Sequence, residues 1–267
     1  MNMQAGFSSP QSTQQAANLH LIDSQELHLK GVDKRLNQSC KDCATNKACL
    51  VKTVNEEKLR TLGGISKYPK PVQKGGHFYR QDNDFRSLYI VRSGAVKTYY
   101  INKRGEEHIT GFYLPGELFG IDGIFHGMHQ YSAEALDTSA VCEIPYTRLE
   151  QKFQTQPEIQ RLTLAVLCNE LYERQQPLLM LRQYPAQERL ATFLTNLSSR
   201  LKQRGLSATE FDLPMSRRDI ASYVGVAEET MSRLFSRFQK RALLSVNGRS
   251  VSISDLTELE GMSRTLH

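Results

Sequence analysis

The sequence predicts an α+β protein: an antiparallel β domain, then a long helix, then a small α-rich domain with one hairpin. Three observations carry that class. Between about Leu59 and Leu149, short apolar runs (SLYIV, AVKTYYI, HITGFYL, AVCEIPY) recur, and glycines at 75, 94, 105, 111 and 116 separate several of them, the pattern of an antiparallel sandwich or barrel. From roughly Pro157 to Gln183 the apolar period becomes helical. Beyond Pro185 the chain is compact and more basic, with helical patterns and two β runs around Asn247-Gly248.

The same pass divides the chain into a disordered tail (1–38), a cysteine loop (39–52), the β domain (53–156), the long helix (157–184), the C-terminal domain (185–257) and a short tail (258–267). A length of 267 residues accommodates two modest domains. Hydrophobic content is 39% with a mean hydropathy of −0.46, and no run reaches the ~18 apolar residues of a membrane span. The polar start, MNMQAGFSSPQSTQQAAN, lacks the apolar core of a secretory signal, so a cytoplasmic location with no membrane contact is expected. Thiols stay reduced there, and an odd count of five cysteines cannot pair completely. The net charge of +6 and pI near 9.0 are a weak pointer to a polyanionic partner.

In the C-terminal domain, Ser216 stands three residues before Asp219, close to a capping box with Asp in place of the usual Glu or Gln. The first helix ends at Gly225 and a second runs from about Ala227 to Arg241, a helix-turn-helix. On the second helix Met231, Leu234, Phe235 and Phe238 share one face, while Glu229, Ser232, Arg233, Ser236, Arg237 and Lys240 share the other. The hairpin, with Asn247-Gly248 as a type I′ turn, completes a winged helix. Between Arg200 and Arg241 nine basic residues stand against five acidic ones, a surface that attracts phosphates of any sequence. Arg233 can donate twice to guanine, Glu229 can accept from cytosine, and Ser232 is an adaptable neighbour. Ser216, Arg217 and Arg237 join them as candidate DNA contacts. The bland alternative is that Glu229 complements the helix dipole and Arg233 is merely solvated. In a winged helix, base readout is the better reading.

One reading helix makes too few contacts for tight specific binding, which favours a dimer on a palindrome. Leu164, Leu167, Leu171, Arg174, Leu178 and Leu181 recur at alternating steps of three and four on the long helix, the seam of a two-stranded coiled coil. The same stripe would also serve to cover the β domain within one chain, but Ile159, Leu162 and Val166 form a second apolar set for that purpose. Arg174 would meet its own copy and oppose association unless Glu170 or Glu173 reaches it. Pro177 is expected to interrupt or kink the helix.

Three of the five cysteines lie in "SCKDCATNKACL", Ser39 to Leu50. Their spacing alone leaves an iron-sulfur cluster and a four-cysteine zinc site about level. Cys168, on the long helix away from the seam, reads as a small buried hydrophobe. His126 and His129 read as exposed loop residues without a role.

The β domain with "PGELFG", the long helix and the winged helix resemble the cyclic-AMP receptor protein/FNR superfamily; the cysteines and "VAEETMSRLFSRFQK" are similar to its fumarate and nitrate reduction branch. The likeness covers about Ser39 to Ile253. It implies that the β domain is an antiparallel β-roll, the cyclic-nucleotide-binding-like double-stranded β-helix. It further implies a [4Fe-4S] cluster on Cys40, Cys43, Cys49 and Cys142, degraded by oxygen. The remaining implications are a homodimer when the cluster is loaded, anaerobic activation or repression through RNA polymerase, and a palindrome resembling TTGAT-N4-ATCAA. On that palindrome Glu229 and Arg233 would read the G·C pair and Ser232 a neighbouring thymine. Small residues, Ala44 and Ala48, flank the ligands at positions whose side chains screen the cluster, and the sequence leaves its oxygen lability open.

Cyclic-AMP receptors carry an Arg-Ser pair after "PGE"; this chain has Tyr131-Ser132 in "HQYSAEALD" and "GID" at Gly120 to Asp122. Without a guanidinium partner a buried phosphate is poorly compensated, so cyclic AMP is not expected as a ligand. An iron-sulfur electron carrier or metalloenzyme would use the same cysteines, but no Gly-rich phosphate loop, nucleophile elbow or HExxH is present. A regulator of this fold with structural zinc is the nearer rival.

Overall fold

The structure is a computed structural model that describes Cys49 and residues 64–263, with the side chains of 173–183 left out. The expected tail at 1–38 and most of the cysteine loop lie outside the described residues. Among the described residues the β domain has seven strands: β1 (His77–Tyr79), β2 (Ser87–Ser93), β3 (Val96–Ile101), β4 (Glu107–Tyr113), β5 (Leu118–Phe119), β6 (Ser132–Ala135) and β7 (Ala140–Pro145). They make two antiparallel sheets, ordered β1-β6-β3-β4 and β5-β2-β7. Between them lies a core of Tyr79, Val91, Val96, Tyr113, Phe119 and Val141.

Strand β3 is buried on both faces, and its period of two explains why. Val96 joins the interior of the β domain. Ala95 and Tyr99, on the other face, join a core shared with the C-terminal domain. Phe112 and Leu114, at and just after the end of β4, belong to that shared core too, where Phe112 meets the rings of Phe193 and Tyr223 at 6.0 and 5.2 Å between centroids.

Helix α1 (Tyr146–Thr155) closes the β domain and α2 (Pro157–Gln183) follows, opening on a proline whose missing N–H costs nothing at a helix start. Helix α2 runs through Pro177 without the interruption expected there; one absent donor removes one ladder bond but does not end a helix of this length. Ile159 is fully buried, and Leu162, Val166 and Leu167 pack with it against Ile65, Leu88, Ile90, Leu118, Ile144 and Leu149.

The C-terminal domain contains α3 (Ala186–Gln203), β8 (Glu210–Asp212), α4 (Arg217–Val224), α5 (Glu228–Lys240), β9 (Leu244–Asn247), β10 (Ser250–Ile253) and α6 (Leu256–Met262). Ser216 and Asp219 form the full capping box, and Gly225, at φ +70°, turns the chain between α4 and α5. Strand β8, not foreseen, adds a third strand to the wing in the order β8-β10-β9. The wing turn also differs from expectation. Asn247 pairs with Ser250, so its central residues are Gly248, at φ +60°, and Arg249, whose φ is not positive. Type I′ needs positive φ at both positions, whereas glycine at the first position alone belongs to type II′. Residues expected as a tail from 258 include the end of α6, because Leu259 is fully buried and Leu256 and Met262 pack on the same core.

Candidate functional site

Helix α5 divides as its sequence pattern predicts. Met231, Leu234, Phe235 and Phe238 are buried, which fixes the helix by one face and leaves Glu229, Ser232, Arg233, Ser236, Arg237 and Lys240 exposed on the other. Ser232, Arg233, Ser236, Arg237 and Lys240 line a shallow open groove, with Glu228 and Glu229 at its N-terminal end complementing the helix dipole. A stripe of three cations and two hydroxyls suits the edges and backbone of a duplex.

Arg217, the first residue of α4, stacks its guanidinium 3.3 Å above the Phe235 ring. This contact joins the two helices of the motif, and burial lowers the pKa of a group that nonetheless stays charged. Its Nη1 is buried without a hydrogen-bond partner. Ser216 is exposed beside it as the N-cap.

Arg200 and Arg204, which the sequence groups with the basic surface, belong instead to an internal clamp. Glu117, of the "PGE" turn, accepts from Arg200 Nε at 2.9 Å and Nη2 at 2.5 Å, from Arg204 Nη2 at 2.5 Å and from the Leu114 N–H at 2.9 Å. Arg200 also donates to the Phe112 carbonyl and Arg204 to that of Pro115, each at 2.7 Å. Burial alone would raise the Glu117 pKa; the two guanidiniums reverse this and hold it below the usual carboxylate range. Arg200 and Arg204 stand one helical turn apart, which is legible, but their partner 83 residues earlier is not. Arg249 adds a second tie, donating to Asp137 at 2.7 and 3.1 Å.

Cys142 stands on β7 opposite Ile90 of β2. Cys142 and Cys49 are both half-buried and pack against the same apolar cluster, the one that receives the inner face of α2. Cys40 and Cys43 lie outside the described residues. Among the described residues no group of three or more His, Cys, Asp or Glu is placed to hold a metal. Two soft donors packed on one apolar cluster suit one side of a thiolate-ligated group.

On the outer face of α2, Leu164 is 61% exposed, Leu171 58% and Tyr172 52%. Leu167, expected beside them, is instead half-buried against the β domain, and Cys168, expected to be buried, is exposed. A step of one residue turns a helix by about 100°, which carries Leu167 inward and Cys168 outward. Arg174, Leu178 and Leu181 fall where side chains are not described.

His129 also departs from expectation. It is 1% exposed, stacks on Tyr79 with ring centroids 3.6 Å apart, and has Nδ1 3.4 Å from Asp122. His126 is exposed as expected. Asp122 accepts from the N–H groups of Gln130 and Tyr131 at 2.8 and 3.2 Å.

Family models match in two places: a cyclic nucleotide-binding domain at 69–156 and a Crp-like helix-turn-helix domain at 188–262. The transcriptional activator protein Anr of Pseudomonas protegens is 44% identical over 82% of this chain and 90% of its own length. The fumarate and nitrate reduction regulatory protein of Vibrio cholerae is 43% identical over 84% of this chain and 91% of its own. The solved structure of FixK2 from Bradyrhizobium japonicum superposes with a TM-score of 0.69 at 29% identity, covering 76% of this chain and all of that one. With its β-roll, long helix and winged helix, the chain is a DNA-binding transcription regulator, not an enzyme, and belongs to the FNR type of the Crp/FNR family.

Proposed function

We propose that this protein is an oxygen-responsive regulator of anaerobic metabolism genes. In this reading Cys40, Cys43, Cys49 and Cys142 hold a [4Fe-4S] cluster, and the loaded chain dimerises on an operator resembling TTGAT-N4-ATCAA. One observation carries the proposal: Cys49 and Cys142 pack on the same cluster of side chains as Ile159, Leu162, Val166 and Leu167 of α2. Whatever ties these two cysteines together also steadies the inner face of the helix whose outer face is bare. Cys43 and Cys40 precede Cys49 by six and nine residues, within a tether of roughly 20 and 30 Å. When bound, the cluster supplies iron-sulfur bonds that oxygen degrades.

With α2 held, Leu164 and Leu171 meet their copies across a two-fold axis, and Arg174, Leu178 and Leu181 complete the proposed seam, while Leu167 stays with the β domain. The like charges at Arg174 work against the dimer, so the seam closes only with α2 steadied. Moving such an equilibrium from 1:99 to 99:1 takes about 5.5 kcal/mol, well inside the ~10 kcal/mol that structural metal sites contribute. Glu229, Ser232 and Arg233 then read bases while Ser216, Arg217 and Arg237 touch backbone, and RNA polymerase is the downstream partner. The name of the P. protegens relative, a transcriptional activator, supports that last step.

Cyclic AMP has no role in this reading. Asp122 already occupies the N–H groups of Gln130 and Tyr131, and its charge repels a phosphate. Among the described residues no helix is long and apolar enough to cross a membrane; a cytoplasmic location is part of the proposal.

Anaerobic purification followed by an optical spectrum tests the cofactor. A brown protein that bleaches in air is expected, and colourless protein with tightly held zinc would overturn the assignment. Cys142→Ser is expected to abolish both the colour and anaerobic operator binding; unchanged binding would sever cluster from dimer.

A further inference from the structure

Lys97 is a charged residue of β3 that is only 7% exposed. It lies on the face of the strand that turns toward the C-terminal domain, between Ala95 and Tyr99. Its Nζ lies 2.7 Å from Glu107, 3.0 Å from Asp219 and 3.9 Å from Glu134. His77 faces the same group, 3.7 Å from Glu134 and hydrogen-bonded to Tyr99 at 2.8 Å. Three carboxylates thus converge on one ammonium, and one of them belongs to the DNA-binding motif.

That carboxylate has a specific task. The Asp219 oxygen turned from Lys97 accepts from the Ser216 N–H at 3.0 Å and from Ser216 Oγ at 2.6 Å. Asp219 N–H in turn donates to Ser216 Oγ at 3.0 Å. The box caps α4, but it also puts a negative charge at a helix N-terminus, the place where open N–H groups would otherwise attract phosphate. An uncompensated carboxylate there repels DNA. Lys97 reaches Asp219 from a different domain, at 3.0 Å, and fixes the cap in place. Burial works against ionised Asp219, yet the bonds from Ser216 and Lys97 prevail and keep its pKa below the ordinary value.

We propose that Lys97 is a positioning residue for DNA binding: through Asp219 it sets the orientation of the α4 N-terminus, so that Ser216 and Arg217 meet the phosphate backbone. The inference rests on the family's DNA binding and not on oxygen sensing.

The test uses the full chain prepared anaerobically, with affinity for two duplexes, one carrying the TTGAT inverted repeat and one scrambled, and with dimerisation measured by sedimentation. Lys97→Met is expected to weaken both duplexes alike, by about tenfold, at an unchanged dimer constant, and Lys97→Arg to restore most of the affinity. In an Asp219→Asn background Lys97→Met is expected to have little further effect, since residues acting through one contact are not additive. Wild-type affinity in Lys97→Met, an equal tenfold loss in the Asp219→Asn background, or no rescue by arginine would each overturn the proposal. Lys97→Gln, which keeps a hydrogen-bonding head, is the variant to use if Lys97→Met does not fold, with the same outcomes deciding. A wild-type chain that ignores the inverted repeat but holds the scrambled duplex would sink the operator and leave the Lys97 comparison intact.

Discussion

Helices α2 and α5 both bury one face and expose another, and what they expose is opposite in kind. Helix α5 shows solvent serines, arginines and a lysine; α2 shows it Leu164, Leu171 and Tyr172. Cations in a row cost little in water and gain from a polyanion. Leucines in a row are costly in water and gain only from another apolar surface. The contrast fits the proposal that α5 meets the duplex and α2 a second copy of the chain, and it also says how each surface responds when it is altered.

The sharpest test is Leu171→Glu. Each substitution counts twice across a two-fold axis, and burying an unpaired carboxylate costs several kcal/mol on top of the leucine packing it removes. The dimer dissociation constant is expected to rise at least ~100-fold by sedimentation, ending protection of the inverted repeat. Because Leu171 is 58% exposed in the single chain, monomer thermal stability is expected to stay within about 0.5 kcal/mol. A variant that still dimerises would show that the bare face of α2 is not the seam.

Glu117→Gln strikes the clamp that ties the PGE turn of the β domain to the end of α3. Breaking a buried charge group on one side typically costs about 3–5 kcal/mol, and roughly 10 °C of melting temperature is expected for a chain of this size. The pH dependence has a definite sign. A carboxyl whose folded pKa is depressed stabilises fully above its unfolded value near 4.3 and loses that contribution as pH falls through the folded value. The gap between wild type and Glu117→Gln is therefore expected to be flat from pH 5 to 8 and to narrow below about pH 4. A gap that widened in acid would contradict the clamp.

Arg233→Ala separates reading from gripping. A bidentate arginine–guanine pair is worth about 1–3 kcal/mol of discrimination, so affinity for the inverted repeat is expected to fall about 10- to 100-fold while the scrambled duplex and the dimer constant barely move. Equal losses on both duplexes would return Arg233 to the solvated role.

Why α5 is legible in the sequence and α2 only in part follows from the same contrast. In α5 charged and apolar residues never share a face, so one period assigns Met231, Leu234, Phe235 and Phe238 to the core. Helix α2 is apolar on both sides, and periodicity cannot say which stripe belongs to its own chain; hence Leu167 and Cys168 exchange the environments expected of them. The β-roll strands and the capping box carry local signals and are visible. Partnerships across long sequence gaps are not: nothing in the run AVKTYYI marks Lys97 until Asp219, 122 residues later, comes to lie beside it. His129 reads as a loop residue until Tyr79 is stacked on it.

Arg237 offers the smallest and most diagnostic effect. It lies one helical turn after Arg233 in the same groove, farther from the N-terminal turns that enter a major groove first, where its guanidinium is expected to meet phosphate and not a base. A phosphate contact releases counterions, so its worth shows in salt dependence more than in sequence preference. Arg237→Ala is expected to lower the slope of log affinity against log salt by about one per subunit, equally for the inverted repeat and the scrambled duplex, and to leave discrimination intact. If the slope held and discrimination fell, base reading would extend two turns along α5 and the division between the two arginines would be wrong.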